Sequence, residues 1–296
     1  MKIKVYLKNS NTLVFIYFYC KQLLYKFMFK NIKQKEKFIE KKFKKCLGYD
    51  IDFKKYPITF NQKIQFRKLY DSNSLYSICS DKYKVRKYVR EKIGEEYLIP
   101  IYLVTERLTM EQWEQLPDSF VAKANHNSGP VQIIKDKSKT DAKRIIKELN
   151  NQLKIDYGIL SMEKYYSDIP RKIIVEKYLK NDIEDYKIHC FNNGKMFIDI
   201  CTRDTGETKS VLYDIEWNNL KVTAGNLNDR SFKKPKNFYK MLDIAKKLSE
   251  DFDYVRVDLY NISGNIYFGE LTFCENSGFG KFSDETWDYN FGQFWL

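Results

Sequence analysis

The clearest alternation of apolar and polar positions lies at residues 255–273, VRVDLYNISGNIYFGELTF, on either side of Asn-Ile-Ser-Gly-Asn. It predicts a β-hairpin with a three-residue loop, Ile262-Ser263-Gly264, in which glycine takes the left-handed position. An odd loop places Arg256, Asp258, Glu270 and Thr272 on one sheet face, with Asp258 and Glu270 as diagonal neighbours. Like charges so placed repel, and a cation between them would relieve the repulsion. A second hairpin is predicted where Asn192-Asn193-Gly194 joins the strands YKIHCF and KMFIDICTR. Further strands are read in YLIPIYLV, interrupted by Pro100, and in FVAKA, VQIIK and IIVEKYL.

Helical spacing predicts a helix over residues 81–92 with Asp81 as N-cap and Gly94 as its end. Others follow over MEQWEQL, over residues 141–153 with Thr140 as cap, and over residues 237–250. Hairpins outnumber parallel crossovers, so the class is α+β with mainly antiparallel sheets. Near the N-terminus, TLVFIYFYCKQLLYKFMF is apolar but broken by Lys21 and Lys26, which leaves it short of the roughly 20 apolar residues of a spanning helix. No small-residue cleavage site follows, so a signal peptide fits poorly. An amphipathic helix fits better; packing on the domain, the commoner outcome, is the preferred expectation, and lying on an anionic leaflet with the help of KNIKQKEKFIEKKFKK is the alternative.

Composition narrows the function classes. The chain has 296 residues, enough for one large domain or two intimately packed ones. A net charge of +13 favours anionic partners such as nucleotides, acidic polymers or lipid surfaces, although high Lys, Tyr, Phe and Ile content also follows from an AT-rich genome. The six cysteines form no CxxC and there are only two histidines, His126 and His189, which argues against zinc sites and disulfide frameworks and for reduced thiols in the cytosol. Nothing places a nucleophile beside either histidine. Nucleic-acid binding through the positive charge is a further class, but no nucleic-acid module is present.

Several segments carry possible chemistry. In FVAKANHNSG, Lys123 ends a strand before a small polar loop, where it could reach phosphate oxygens cradled by the N–H groups of Ser128 and Gly129. The Walker pattern is absent, and alone such a lysine is an ordinary strand end. Glu176 and the backbone to Leu179 form a strand end able to pair with an adenine edge. Asp185, Lys187 and His189 share one strand face, either a surface or the wall of a polar cleft. Hard oxygen ligands at Asp258 and Glu270 suit Mg²⁺, which usually also holds a phosphate, whereas the plain alternative is an exposed acidic hairpin.

The order of these segments resembles the ATP-grasp superfamily, with RVD followed after twelve residues by ExT. Thr272 stands where asparagine is commoner in that superfamily. The strings TFNQKIQFRKLYD, DKYKVRKYV, YLIP, LPDSFVAKANHNSG, EKYL, DYKIHCFNNGK and GELTFCENSGF together resemble the TupA-like ATP-grasp family, from about Leu47 to the C-terminus. That family is linked to teichuronopeptide and other surface-polysaccharide synthesis. Its usual loop reads NHGSG, and Asn127 here replaces the glycine, a residue that tolerates left-handed angles but leaves loop closure weaker.

The resemblance implies an ATP-grasp fold, with two α+β subdomains gripping ATP and a helical N-terminal region. The implied divisions are a basic helical part over 1–60, an N-terminal α/β part over 61–115, a small subdomain with the phosphate loop over 116–175, and a large subdomain with the metal hairpin over 176–296. It implies ATP held by Lys82, Lys123, Asn125, Ser128, Gly129, Glu176, Leu179, Asp182 and Glu184. It implies Mg²⁺ on Asp258, Glu270 and Thr272, and phosphoryl transfer assisted by Lys187 and Arg256, with Arg203 clamping an acidic acceptor. The implied activity is a carboxylate–amine ligase adding an amino acid to a uronic-acid-containing glycan or its precursor. Its place would be cytoplasmic; peripheral contact at the inner face of the plasma membrane is suggested separately by the basic N-terminus, which lies outside the part that resembles the family. A glycan kinase using the same site, and a glycosyltransferase-associated biosynthesis protein, are the alternatives.

Overall fold

The computed structural model describes residues 11–179, 184–204 and 207–296. Helices Asn11–Met28, Ile32–Leu47, Phe60–Tyr70, Leu75–Ser80 and Val85–Ile93 precede the first strand. No helix among the described residues is long and apolar enough to cross a membrane. The chain divides into two compact units. The first takes residues up to 34, 74–85 and 99–179, and the second takes 35–73, 86–98 and 180 onward.

The first unit holds four antiparallel strands: β1 (Ile101–Thr105), β2 (Phe120–Ala124), β3 (Gln132–Ile134) and β4 (Ile173–Lys177), in the order β1-β4-β2-β3. Period-2 alternation sends Phe120 and Ala122 into a core with Trp113, Ile145 and Leu149, and leaves Lys123 on the opposite face. β4 is central, and its run Ile173-Ile174-Val175-Glu176 is buried throughout. The helix Ala142–Gln152 is capped by Asp141, whose carboxylate accepts from Arg144 N, rather than by Thr140. Thr140 instead donates its hydroxyl to Asp136 O.

Asp81 also differs from expectation. It is the C-cap of the helix Leu75–Ser80, and the next helix begins only at Val85. The Asp81 carboxylate accepts from Tyr83 N and from Asn125 Nδ2, so tertiary bonding takes the residue away from capping.

The second unit is a five-stranded antiparallel sheet of β5 (Glu184–Phe191), β6 (Met196–Asp204), β7 (Glu207–Tyr213), β8 (Tyr254–Ile262) and β9 (Asn265–Thr272), in the order β7-β6-β5-β8-β9. The β5–β6 turn is Asn192-Asn193-Gly194, with Gly194 at φ +83°. One sheet face, carrying Tyr186, Ile188, Ile198, Ile200, Val257 and Leu259, is buried, and the helix Phe238–Ser249 contributes Met241, Ile244, Ala245 and Leu248 to the core.

The other face is split. Its lower half is aromatic, where Phe191, Phe197, Tyr254, Phe60, Phe291 and Trp295 pack in edge-on and tilted ring pairs around the helices Phe60–Tyr70 and Thr286–Phe294. Its upper half is polar. The helix Phe60–Tyr70 starts with a capping box between Thr59 and Gln62, and its buried Arg67 donates to the carbonyls of Tyr254 and Phe273.

The β8–β9 connection corrects the expected loop. Ile262 pairs with Asn265, so the turn has two residues, Ser263 at φ +51° and Gly264 at φ +87°, the geometry of a primed hairpin turn. An even loop alone would put Asp258 and Glu270 on opposite faces. A bulge between Asp258 and Leu259 adds one residue on the partner strand at Gly269, and the register beyond it is Asp258 opposite Glu270 and Arg256 opposite Thr272. The two carboxylates are direct rather than diagonal neighbours. Gly269 suits the bulge because a Cβ there would lie 3.1 Å from Asp258 O and 3.3 Å from the Tyr260 ring.

Gly292 gives a test of how the helix Thr286–Phe294 docks on the sheet's aromatic half. A Cβ at this position would collide with the backbone carbonyl of Ile58. Gly292→Ala should therefore destabilise the protein by about 2–4 kcal/mol in denaturant titration. An unchanged midpoint would contradict this packing.

Candidate active site

In the first unit the loop after β2 is rooted by Asn125, which is fully buried. Its Nδ2 donates to Asp81 Oδ1 at 2.8 Å and to Pro170 O at 2.9 Å, and its Oδ1 accepts from Lys172 N at 2.7 Å. With the side chain so engaged, Asn125 holds the loop's base, and its carbonyl accepts from Lys82 N at 3.1 Å. Lys82 Nζ donates to Asn127 O at 2.8 Å. His126 is buried beside them, its Nε2 3.0 Å from Ile155 O, and burial lowers its pKa so that the ring is neutral near pH 7.

Asn127 does not adopt the left-handed backbone expected where the family has glycine. Its side chain instead accepts from Gly129 N at 3.2 Å, closing an Asx turn, and Ser128 is exposed at the tip. Lys123 and Glu176 lie on one face of the sheet and form an ion pair of 2.6 Å, with Glu176 6% exposed. Leu179 follows the end of β4 and is half-buried. Asp182 lies outside the described residues.

In the second unit the polar half of the sheet gathers charges from four strands, β5, β6, β8 and β9, and a turn. Lys187 on β5 pairs with Asp258 on β8 and with Asp199 on β6 in the ladder. Its Nζ donates to Asp185 Oδ2 at 2.7 Å and to Asp258 Oδ2 at 3.0 Å. Arg256 reaches Asp258 twice, Nε to Oδ1 and Nη2 to Oδ2, each at 2.6 Å. The same guanidinium lies 3.4 Å from Glu270 Oε1 and bonds Glu275, which sits in a short helical turn after β9. Thr272 Oγ1 is 3.5 Å from Glu270 Oε1. Glu184 opens β5 opposite Asn261, and Arg203 pairs with Thr208 in the β6–β7 ladder.

The charge balance follows. Five carboxylates, Asp185, Asp199, Asp258, Glu270 and Glu275, face two cations, Lys187 and Arg256. Burial works against the Lys187 charge, but Asp258 and Asp185 together outweigh it and the ammonium stays protonated above its usual range. Arg256 is likewise buried and held well above its usual range by Asp258 and Glu275. Burial, then the neighbouring Glu275 charge, pushes the Asp199 carboxyl up to about 6, and its Oδ1 is buried without a hydrogen-bond partner. Burial and then Arg256 lower His189 to about 3, so it is a neutral ring, with Nδ1 3.0 Å from the Tyr254 hydroxyl.

Among the described residues no three His, Cys, Asp or Glu side chains converge as a closed metal cage. Mg²⁺ is commonly held by one or two carboxylates with phosphate and water completing the shell. Asp258 and Glu270, directly opposite and flanked by the Thr272 hydroxyl, are a hard-oxygen donor set of that kind, on which Arg256 now serves as the cation. Asp199 and Glu275 were not picked out as site residues in the sequence. Asp199 shows only as a carboxylate in the apolar run FIDIC, and no spacing rule links Glu275 to Arg256, because Asn276 and Ser277 turn the chain through left-handed angles.

The sequence matches the family model described as TupA-like ATPgrasp over residues 62–296. The chain belongs to the TupA-like ATP-grasp family. The match begins at Gln62, inside the capping box, somewhat later than the motif strings suggested. No curated protein matches it. Similar solved structures include the D-alanine–D-alanine ligase of Bacillus anthracis complexed with ATP, at 17% identity and TM-score 0.36, covering 66% of this chain and 53% of that one. The D-alanine–D-alanine ligase of Helicobacter pylori matches at 13% identity and TM-score 0.39, covering 79% and 68%. The N5-carboxyaminoimidazole ribonucleotide synthetase of Thermus thermophilus matches at 10% identity and TM-score 0.43, covering 74% and 52%. The TupA-like chain thus spans about half the length of the first of these ligases, and its family assignment rests on the 62–296 match.

Two outcomes test the electrostatics. Arg256→Met leaves Asp258 and Glu275 buried without their cation and should cost about 3–5 kcal/mol, with part recovered in the double variant carrying Glu275→Gln. Absence of any recovery would contradict the pairing. For Asp199, the folded state binds its proton more tightly than the unfolded chain, so its contribution falls as pH rises from about 4 through about 6. Asp199→Asn should therefore add about 1–2 kcal/mol at pH 7.5 and almost nothing at pH 4, measured by urea unfolding at both values.

Proposed function

We propose that the protein is an ATP- and Mg²⁺-dependent carboxylate–amine ligase acting through an acyl phosphate. The observation that supports this most is the pairing of Asp258 with Glu270 beside Lys187 and Arg256, in a chain whose residues 62–296 match an ATP-grasp family. In the first unit Lys82 and Lys123 bind the α- and β-phosphates, and the loop lays the Ser128 N–H against them, joined by the Gly129 N–H once it leaves Asn127 Oδ1. Glu176 and the backbone near Leu179 hold the adenine, and Asp182 or Glu184 takes the ribose. For Lys123 to reach a phosphate it must leave Glu176, an exchange that a nucleotide can drive because it offers both a new anion and a new donor.

In the second unit Asp258, Glu270 and the Thr272 hydroxyl hold Mg²⁺, which when bound neutralises charge on the β- and γ-phosphates. Lys187 and Arg256 steady the γ-phosphoryl group as it passes to a substrate carboxylate, giving ADP and an acyl phosphate. Their charges are fixed before transfer begins, so they stabilise the developing negative charge without reorganisation. An amine then attacks the acyl carbon, phosphate leaves, and the amine loses a proton to give the amide. An anionic acceptor, a uronic-acid-containing glycan or its precursor, fits the net charge of +13 and the guanidinium of Arg203, with an amino acid as the amine donor. ATP supply places the reaction in the cytoplasm.

Asp258→Asn and Glu270→Gln should each lower Mg-ATP turnover by about a hundredfold or more; the half-exposed Glu270→Gln should leave the thermal midpoint within a few degrees, whereas Asp258→Asn should lower it, because it takes a buried charge partner from Arg256. Undiminished turnover in both would sink the metal assignment. Mass spectrometry of a uronic-acid acceptor incubated with Mg-ATP and an amino-acid pool should show a mass gain equal to an amide. A gain equal to phosphate would make the protein a glycan kinase instead.

A further inference from the structure

The helix Asn11–Met28 is built inside out. Among its described side chains the one buried residue is Gln22, at 4% exposed. Gln22 Nε2 donates to Lys154 O at 3.1 Å and its Oε1 accepts from Asp156 N at 2.6 Å, tying the helix to the first unit's backbone. Its large apolar residues point the other way: Ile16 is 48% exposed, Leu23 50%, Leu24 53% and Phe27 72%. At about 100° per residue, Leu13, Ile16, Cys20, Leu24 and Phe27 form one stripe opposite Gln22, and Lys21 and Lys26 fall to its two sides. Lys21 Nζ lies over the rings of Tyr17 and Tyr25, and Lys30 Nζ over that of Phe27, so the cations ride at the edge of the apolar surface.

An apolar stripe in water needs a second apolar phase. Charge decides which. Eight lysines and no acidic residue precede Glu36. A second copy of the same segment would bring two strongly positive surfaces together, which like-charge repulsion opposes. An anionic bilayer offers hydrocarbon to the stripe and negative headgroups to the lysines at once. The helix is too short and too charged to cross. We propose that Asn11–Met28 is an in-plane membrane anchor, seating its Leu13–Phe27 stripe in the interface of an anionic lipid bilayer. This stands apart from the ligase reading, since it requires neither ATP nor the carboxylate pair.

The test is co-sedimentation of the full chain with phosphatidylcholine vesicles, with and without about 30% phosphatidylglycerol, at low salt and at about 0.5 M salt. Binding to the anionic vesicles should exceed binding to the neutral ones by about tenfold and weaken at high salt. Leu24→Glu with Phe27→Glu should lower it about tenfold, and Lys21→Gln with Lys26→Gln should remove much of the anionic preference, both with unchanged ATP turnover. Equal binding to neutral and anionic vesicles, or full binding by the Leu24→Glu/Phe27→Glu protein, would overturn the proposal. So would a salt-stable dimer in sedimentation velocity that those two substitutions dissolve, since the stripe would then be a self-interface.

Discussion

Arg256 is a buried guanidinium surrounded by Asp258, Glu270 and Glu275, and the polar half of the second sheet is organised around it. A buried cation is tolerable only when its partners are placed well, and here the placement is demanding. Asp258 must lie two residues along the same strand, Glu270 must arrive from the neighbouring strand, and Glu275 must come from the short helical turn after β9, which continues into a left-handed stretch. Gln65 and Lys68 bind the carbonyl of Ser277, with Gln65 also reaching Gly278, so the helix Phe60–Tyr70 anchors the left-handed stretch that follows Glu275. The same helix supplies Arg67 to the carbonyls that end the hairpin.

The cluster carries more negative than positive charge, and this makes it receptive as well as stable. Arg256 and Lys187 act as internal counter-ions for carboxylates that would otherwise repel one another. The excess is partly absorbed by raising Asp199 toward neutrality. In the first unit the logic is similar on a smaller scale. Lys123 and Glu176 satisfy each other, and Lys82 is parked on a loop carbonyl. Each candidate ligand-binding cation thus has an internal partner that an incoming phosphate can replace.

The aromatic half of the same face explains why the polar half keeps its geometry. Tyr254, Phe191, Phe197 and Phe291 pack ring against ring below the charges, and burial among them keeps His189 neutral, so it adds no cation beside Lys187 and Arg256.

Much of this was legible from residue order alone. Period-2 alternation located the strands, Asn-Gly located the β5–β6 turn, and the ordered motifs pointed to the family. The strand and turn readings depend on local physics, since side chains alternate along any strand and few residues accept a turn's backbone angles. Other features belong to the tertiary structure. Asp258 and Glu270 share a face through the bulge at Gly269, not through an odd loop, because a bulge is chosen where two strands meet and leaves no local signature beyond a glycine. Asp81 reads as a helix cap yet serves Asn125, because a buried amide 44 residues away competes for its carboxylate and wins. Residue order determined which groups could do the chemistry; the pairing of strands far apart in the chain decided which of them meet, because burial makes an unpartnered charge too costly to leave alone.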